Sequence, residues 1–140
     1  MRSLNKLQPW SLFLLRLAVG VTMVYNSHGK VYSAPDFQHG RYLAPLEHFN
    51  DFVVTLGLPR WLGYVSTVTE FVGGVCLVLG LLTRFWAFLI AGNMLVALVT
   101  VNYHHGYSGS EYTLALISMS LLLVTTGSGA LALDRRFGLS

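Results

Sequence analysis

The sequence has little charge and almost no cysteine. Only 11% of its 140 residues are charged, whereas an average soluble domain has about 25%. Cys76, the single cysteine, lies inside an apolar run, which excludes an intrachain disulfide, a CxxC redox pair and a thiolate cluster. The net charge of +3 comes from scattered basic residues, so we expect no nucleic acid among the partners. With 54% hydrophobic residues, the chain is predicted to have lipid as its main solvent.

Four long apolar runs predict an all-α, polytopic membrane protein. A hydrocarbon core of about 30 Å needs roughly 20 helical residues. Lipid offers no partners to backbone N–H and C=O groups, so these runs are expected to be helices. We predict one four-helix transmembrane domain over residues 1–140, with a loop at 31–60 on the outer side. The predicted helices are about 10–28, 61–82, 85–104 and 111–127.

The basic residues predict the orientation of the bundle. With four spans, both termini and the turn at Arg84 share one side of the membrane. That side has five basic residues: Arg2, Lys6, Arg84, Arg135 and Arg136. The other side has three: Lys30, Arg41 and Arg60. The positive-inside rule then predicts cytoplasmic termini and places all five histidines on the outer side or at its interface.

The loop at 31–60 contains a predicted amphipathic helix between Pro45 and Gly57. Its apolar residues recur at helical spacing: Leu46, Phe49, Val53 and Leu56. Its polar residues mostly occupy the opposite side: Glu47, His48, Asn50, Asp51 and Thr55. Such a helix serves either as an anchor in the membrane interface, which is the more frequent case, or as a lid over a site.

Small and polar residues recur on one face of each span. Helices in lipid associate through small residues and hydrogen bonds, so these stripes are predicted to face the bundle axis. The four stripes are Arg16, Gly20 and Ser27; Ser66, Glu70, Gly73 and Gly80; Asn93, Ala97, Thr100 and His104; and Glu111, Ala115, Ser118 and Thr125.

Two charged residues lie deep in the spans, where a charge at the centre of a helix costs roughly 2.5–3.5 kcal/mol. The first interpretation is a structural ion pair between Arg16 and Glu70 that joins the first two helices. The second is that Glu70, near mid-membrane, is the catalytic residue and carries protons or contacts a ligand.

Four further polar residues are predicted to form a ligand-binding cavity with Glu70 in the outer half of the bundle: His28, Asn93, His104 and Glu111. Imidazole and carboxylate groups bind metals, ligate haem or hydrogen-bond a quinone carbonyl. No H-x₃-H or HExxH spacing is present, so we predict no metal site and place quinone ahead of haem. The alternative is that the histidines only cap helix ends.

Several motifs together resemble the DoxX family. Leu15-Arg16-Leu17-Ala18-Val19-Gly20 leading to His28-Gly29-Lys30 looks like its first helix. Glu70-Phe71-Val72-Gly73-Gly74 and Gly80-Leu81-Leu82-Thr83-Arg84 are similar to its second-helix signature. Gly127-Ser128-Gly129 followed by Leu133-Asp134 resembles its C-terminal motif, with Ala132 where Ser is usual. His104-His105-Gly106-Tyr107 matches the family's outer turn more loosely.

The resemblance implies a bacterial inner-membrane protein and, at most, a subunit of a quinone-linked oxidoreductase. Two functions remain open: a quinone-associated redox component, or a non-catalytic accessory subunit of a larger membrane complex. The expected partners are membrane lipids and either other membrane subunits or further copies of the chain. A small transporter is disfavoured, because no pair of spans is broken by Gly or Pro.

Overall fold

A computed structural model describes residues 2–101 and 107–138, and 82% of the chain is helical, with no strand among the described residues. The helices are α1 (Arg2–Val31), α2 (Ala34–Gln38), α3 (Ala44–Thr55), α4 (Arg60–Leu79), α5 (Thr83–Thr100), α6 (Tyr107–Thr126) and α7 (Leu133–Phe137). The predicted all-α fold is confirmed.

Within the described ranges, three segments are long and apolar enough to cross a membrane: Lys6–Val31, Arg60–Leu79 and Thr83–Thr100. The apolar part of α6, Ser110–Thr126, is shorter. At about 1.5 Å per residue it is about 25 Å long, close to the thickness of the hydrocarbon core. The chain is therefore a helical membrane bundle.

Glycines set the spacing of the bundle. A Cβ at Gly20 of α1 would lie 2.8 Å from the Gly74 carbonyl oxygen, and a Cβ at Gly74 would lie 2.8 Å from the Gly20 carbonyl oxygen. The backbones of α1 and α4 therefore touch at this crossing. The adjacent Gly73 faces α5, where a Cβ would lie 3.0 Å from Trp86. The Gly-Gly pair thus serves two helix interfaces, as small residues commonly do in membranes.

Apolar side chains from α1, α4, α5 and α6 fill the core. They are Val19, Met23, Leu77, Ala87, Ile90, Met94, Leu116 and Leu123.

The prediction that a polar stripe on α6 faces the bundle axis is wrong. Its four residues are exposed: Glu111, Ala115, Ser118 and Thr125. The buried side chains on this helix are Thr113, Leu116, Ser120 and Leu123. Ser118 Oγ donates to the Leu114 carbonyl at 2.9 Å and Thr125 Oγ1 to that of Leu122 at 2.9 Å. Because these hydroxyls are satisfied by their own helix, they can face lipid.

The helix predicted in the long loop is α3, and it packs against α4 and α1. Val53 is buried, as the apolar spacing predicted. Asn50 is also buried, although it was assigned to the polar side. The reason is Gly63 of α4: the absence of a side chain there leaves room for the Asn50 amide to lie against the helix backbone.

Candidate functional site

Glu70 lies in the middle of α4, and its side chain is 4% exposed. Its Oε2 is 2.7 Å from Lys30 Nζ. Its Oε1 accepts a hydrogen bond from Asn93 Nδ2 at 3.0 Å and a longer one from Ser66 Oγ at 3.4 Å. A buried carboxylate needs such partners, because isolated burial of a charge is very costly. Three spans, α1, α4 and α5, thus place polar groups on one carboxylate.

Lys30 comes from the last turn of α1, and its side chain is 21% exposed. Besides pairing with Glu70, its ammonium group lies 4.0 Å from the centroid of the Phe49 ring on α3. A cation over an aromatic face is attracted by the ring quadrupole. Lys30 therefore connects the buried carboxylate with the helix that covers it.

A cavity of about 330 Å³ lies beside this cluster, between α3, α4 and α5. We call it the Glu70 cavity. Ligand sites are typically apolar and contain a few convergent polar groups, and their volumes start at about 300 Å³. The polar residues on the wall are Lys30, Ser66, Thr69, Glu70, Asn93 and Thr100. The apolar residues include Phe49, Phe52, Val53 and Leu56 of α3 and Phe88, Leu89 and Val96 of α5.

The Glu70 cavity opens sideways. Four residues on its wall are also well exposed at the surface: Phe52, Val65, Phe88 and Val96. Val65 and Phe88 belong to segments apolar enough to span a membrane. The opening therefore faces the region that lipid would occupy.

The structure brings together two of the predicted site residues, Glu70 and Asn93. His28 is exposed, packs against Tyr32 with ring centroids 5.4 Å apart, and lines a separate apolar groove. Glu111 is exposed and absent from the cavity wall. His104 lies outside the described residues.

The predicted ion pair between Arg16 and Glu70 is not formed. Arg16 is fully buried, and its Nη1 donates to the Ser128 carbonyl at 2.6 Å and its Nη2 to that of Leu131 at 3.4 Å. Its Nη1 also lies against Gly80, where a Cβ would be 2.7 Å away. Position 80 is about 15 Å along a helix from position 70, which is beyond the reach of the guanidinium group.

Asp134 completes the surroundings of Arg16 and acts on it electrostatically. Its carboxylate accepts hydrogen bonds from the Leu82 N–H at 2.6 Å and the Thr83 N–H at 2.9 Å, at the start of α5. Unsatisfied N–H groups at a helix start favour a negative charge. We call Arg16, Ser128, Leu131 and Asp134 the Arg16 cluster. It gives Gly80 and Thr83 of the Gly-Leu-x-Thr-Arg motif and Asp134 of the C-terminal motif a structural role.

Sequence reasoning missed Lys30 as a site residue. A signal was present, because Lys30 is three residues beyond Ser27 and therefore continues the polar stripe of the first helix. The predicted helix ended at about residue 28, which left Lys30 beyond the first span, whereas α1 continues to Val31.

The fold and the cavity define a helical membrane protein with a small-molecule-sized site inside its spans. The DoxX family profile matches residues 11–103, well over half of the chain. The chain belongs to the DoxX family, which confirms the resemblance seen in its motifs.

Two relatives are similar along nearly their whole length. A Bacillus subtilis (strain 168) protein named "Putative oxidoreductase CatD" is 32% identical over 132 residues, covering 94% of this chain and 90% of its own. An uncharacterized protein of Haemophilus influenzae is 29% identical over 144 residues, covering 98% of both chains. No solved structure matches the chain.

Proposed function

We propose that this protein is a quinone-associated component of a membrane oxidoreductase system and that the Glu70 cavity holds the quinone ring. The observation that carries the proposal is that the buried Glu70 carboxylate, with its partners Lys30 and Asn93, lies on the wall of an apolar, ligand-sized cavity. A quinone is complementary to both parts of this site. Its ring and tail are apolar like the cavity wall, and its carbonyl oxygens accept hydrogen bonds from polar groups.

The polar residues of the cavity would have two roles, hydrogen-bond donation and proton exchange. The Lys30 ammonium and the Asn93 amide are donors that suit carbonyl oxygens. Glu70 is the only carboxylate on the described cavity wall, and we assign it a part in proton exchange. Phe49, Phe52 and Phe88 supply flat apolar surfaces for the ring.

Conversion of a quinone to a quinol consumes two electrons and two protons. Glu70 and Lys30 would relay both protons from water to the quinone oxygens, because an ionised carboxylate has no proton of its own to give. The electrons would come from a separate donor, such as a redox-active partner subunit. The name of the Bacillus subtilis relative agrees with an oxidoreductase system, and we infer no substrate from it.

Quinone retention tests the proposal. The full chain is purified in mild detergent from bacterial membranes, and its lipid extract is analysed for quinone by chromatography and ultraviolet absorption. We expect wild type to retain quinone. Asn93→Ala, which removes a donor to the quinone carbonyl, should lose at least about tenfold in affinity, as one lost buried hydrogen bond of about 1.4 kcal/mol predicts. Glu70→Gln should also retain less quinone, because it removes the charge that holds the Lys30 ammonium beside the cavity.

Glu111→Gln is the matched control, because it makes the same change at an exposed site away from the cavity. It should retain quinone like wild type. Equal retention in Glu70→Gln and Glu111→Gln, or a quinone-free wild type from quinone-containing membranes, would contradict the proposal. A quinone-free protein that purifies stoichiometrically with a larger membrane partner would support the accessory-subunit function instead.

We also propose that both termini lie on the cytoplasmic side of a bacterial inner membrane. Contacts bring the two ends of the chain together, since the Ala130 N–H donates to the Pro9 carbonyl at 2.9 Å. Basic residues Lys6, Arg84, Arg135 and Arg136 lie at or near this end. A fluorescent protein that folds only in the cytoplasm, fused to the C-terminus, should fluoresce. A fusion protein of normal abundance that does not fluoresce would show that the C-terminus lies on the outer side.

A further inference from the structure

A second cavity, of about 320 Å³, lies at the end of the bundle that holds both termini. We call it the Arg84 cavity. It is bounded by the first turns of α1, the start of α5, the turn after α6 and the start of α7. Its polar side chains are Gln8, Arg84, Thr126, Ser128 and Arg135. In contrast to the Glu70 cavity, its described wall carries cationic side chains and no carboxylate.

A glycine turn positions Arg84. Gly127 has φ +86°, a conformation that glycine adopts without the strain of a Cβ. A Cβ at this position would lie 3.4 Å from Arg84 Nε and 3.5 Å from Arg84 Nη2. The guanidinium group therefore lies directly against the turn, on the wall of the cavity.

Three polar side chains of the Arg84 cavity, Arg84, Ser128 and Arg135, are available to a ligand, whereas Thr126 Oγ1 donates to the Leu122 carbonyl. In the described ranges, neither Arg84 nor Arg135 forms an ion pair, and the neighbouring Asp134 is engaged by the start of α5. Ser128 is 3% exposed, and its Oγ makes no hydrogen bond in the part of the chain that the structure describes. A buried hydroxyl without a partner costs about 1–3 kcal/mol. An anion with several oxygens would serve both arginines and the hydroxyl.

We propose that the Arg84 cavity binds a phosphate group, carried either by an anionic phospholipid headgroup or by free phosphate. Two guanidinium groups suit phosphate because each can donate two parallel hydrogen bonds. The cavity lies where the apolar segments of α5 and α6 end, which is the depth of lipid headgroups. This site is separate from the Glu70 cavity and does not depend on its function.

Two measurements on the full chain in zwitterionic detergent distinguish the sources of phosphate. Native mass spectrometry measures retention of added phosphatidylglycerol, with phosphatidylcholine as the comparison. Thermal unfolding in phosphate-free buffer measures the shift caused by inorganic phosphate. We expect Arg84→Gln and Arg135→Gln each to weaken binding about tenfold or more, and Arg84→Lys to weaken it less because the charge remains.

Arg136→Gln is the matched control, because it removes the same charge from the next residue, which does not line the cavity. Phosphatidylglycerol lost by Arg84→Gln and retained by Arg136→Gln identifies a lipid headgroup. A phosphate-induced stabilisation of wild type that is absent in Arg84→Gln identifies free phosphate. Ser128→Ala should fold normally and bind several-fold more weakly. The proposal is overturned if neither ligand binds, or if Arg136→Gln loses as much binding as Arg84→Gln.

Discussion

The two buried charges in the described spans, Arg16 and Glu70, are held in different ways. Arg16 is fully buried, and its Nη1 and Nη2 donate to the backbone carbonyls of Ser128 and Leu131. Glu70 has side-chain partners on two other helices and lies on the wall of a cavity. A charge in a membrane span is often taken as a sign of function. The surroundings of the two residues therefore indicate a structural role for Arg16 and a candidate functional role for Glu70.

The largest effect is expected from Arg16→Met, which leaves the Arg16 cluster without its cation. Breaking one partner of a buried charged network costs about 3–5 kcal/mol. Denaturant or thermal unfolding in detergent should show this loss, whereas Arg136→Met, at an exposed site on α7, should change stability by less than about 0.5 kcal/mol.

A double variant tests whether Arg16 and Glu70 are energetically coupled. Adding Glu70→Gln to Arg16→Met should recover nothing, because the two groups do not meet. A coupling energy above about 1 kcal/mol between Arg16 and Glu70 would contradict the separate surroundings of the two charges.

A second, smaller loss is expected from Asp134→Ala. The carboxylate caps the start of α5 with two hydrogen bonds, and charged hydrogen bonds are worth about 1.5–3 kcal/mol. We expect a destabilisation of about 3 kcal/mol and faster amide exchange at Leu82 and Thr83. Unchanged exchange at these two amides would show that the cap contributes little.

A third prediction concerns Lys30 and Glu70. Lys30→Met should destabilise the bundle by about 2 kcal/mol, because it leaves the buried carboxylate with only neutral donors. Glu70→Gln should recover about half of that loss in the double variant. A double-mutant cycle in detergent measures this coupling, and a value near zero would mean that the pair is not energetically significant.

The smallest effect is expected where α3 covers the Glu70 cavity. Gly63→Ala places a methyl group against Asn50 and should cost about 1 kcal/mol, since overpacking is destabilising. Asn50→Ala alone should change stability little, because neither polar atom of its amide makes a hydrogen bond among the described residues. Together the two changes should restore wild-type stability. If the destabilisations of the two single variants add in the double variant, the Asn50–Gly63 contact does not hold α3 against α4.

Hydropathy predicted the spans well and their ends poorly. Residues 61–82 and 85–104 were predicted, and α4 and α5 are Arg60–Leu79 and Thr83–Thr100. The first span was placed at 10–28, yet α1 extends from Arg2 to Val31. Polar residues at a helix end carry no hydropathy signal, and this is why Lys30 was missed as the partner of Glu70.

The contacts of Arg16 were beyond sequence reasoning for a different reason. Its partners are backbone carbonyls at Ser128 and Leu131, more than 100 residues away. Every residue has a carbonyl, so no side-chain pattern indicates which ones fold back onto the first helix. Glu70 and Asn93 were easier to assign to one site, because a polar residue in an apolar span must find a polar neighbour.

The sideways opening of the Glu70 cavity affects how its ligand affinity should be measured. A ligand that reaches the cavity from the hydrocarbon region binds according to its concentration in the bilayer and not in water. For a long-tailed compound these concentrations differ by orders of magnitude, at about 0.8 kcal/mol for each CH₂ group transferred. Affinities obtained in detergent or vesicles therefore need to be expressed per lipid before variants are compared.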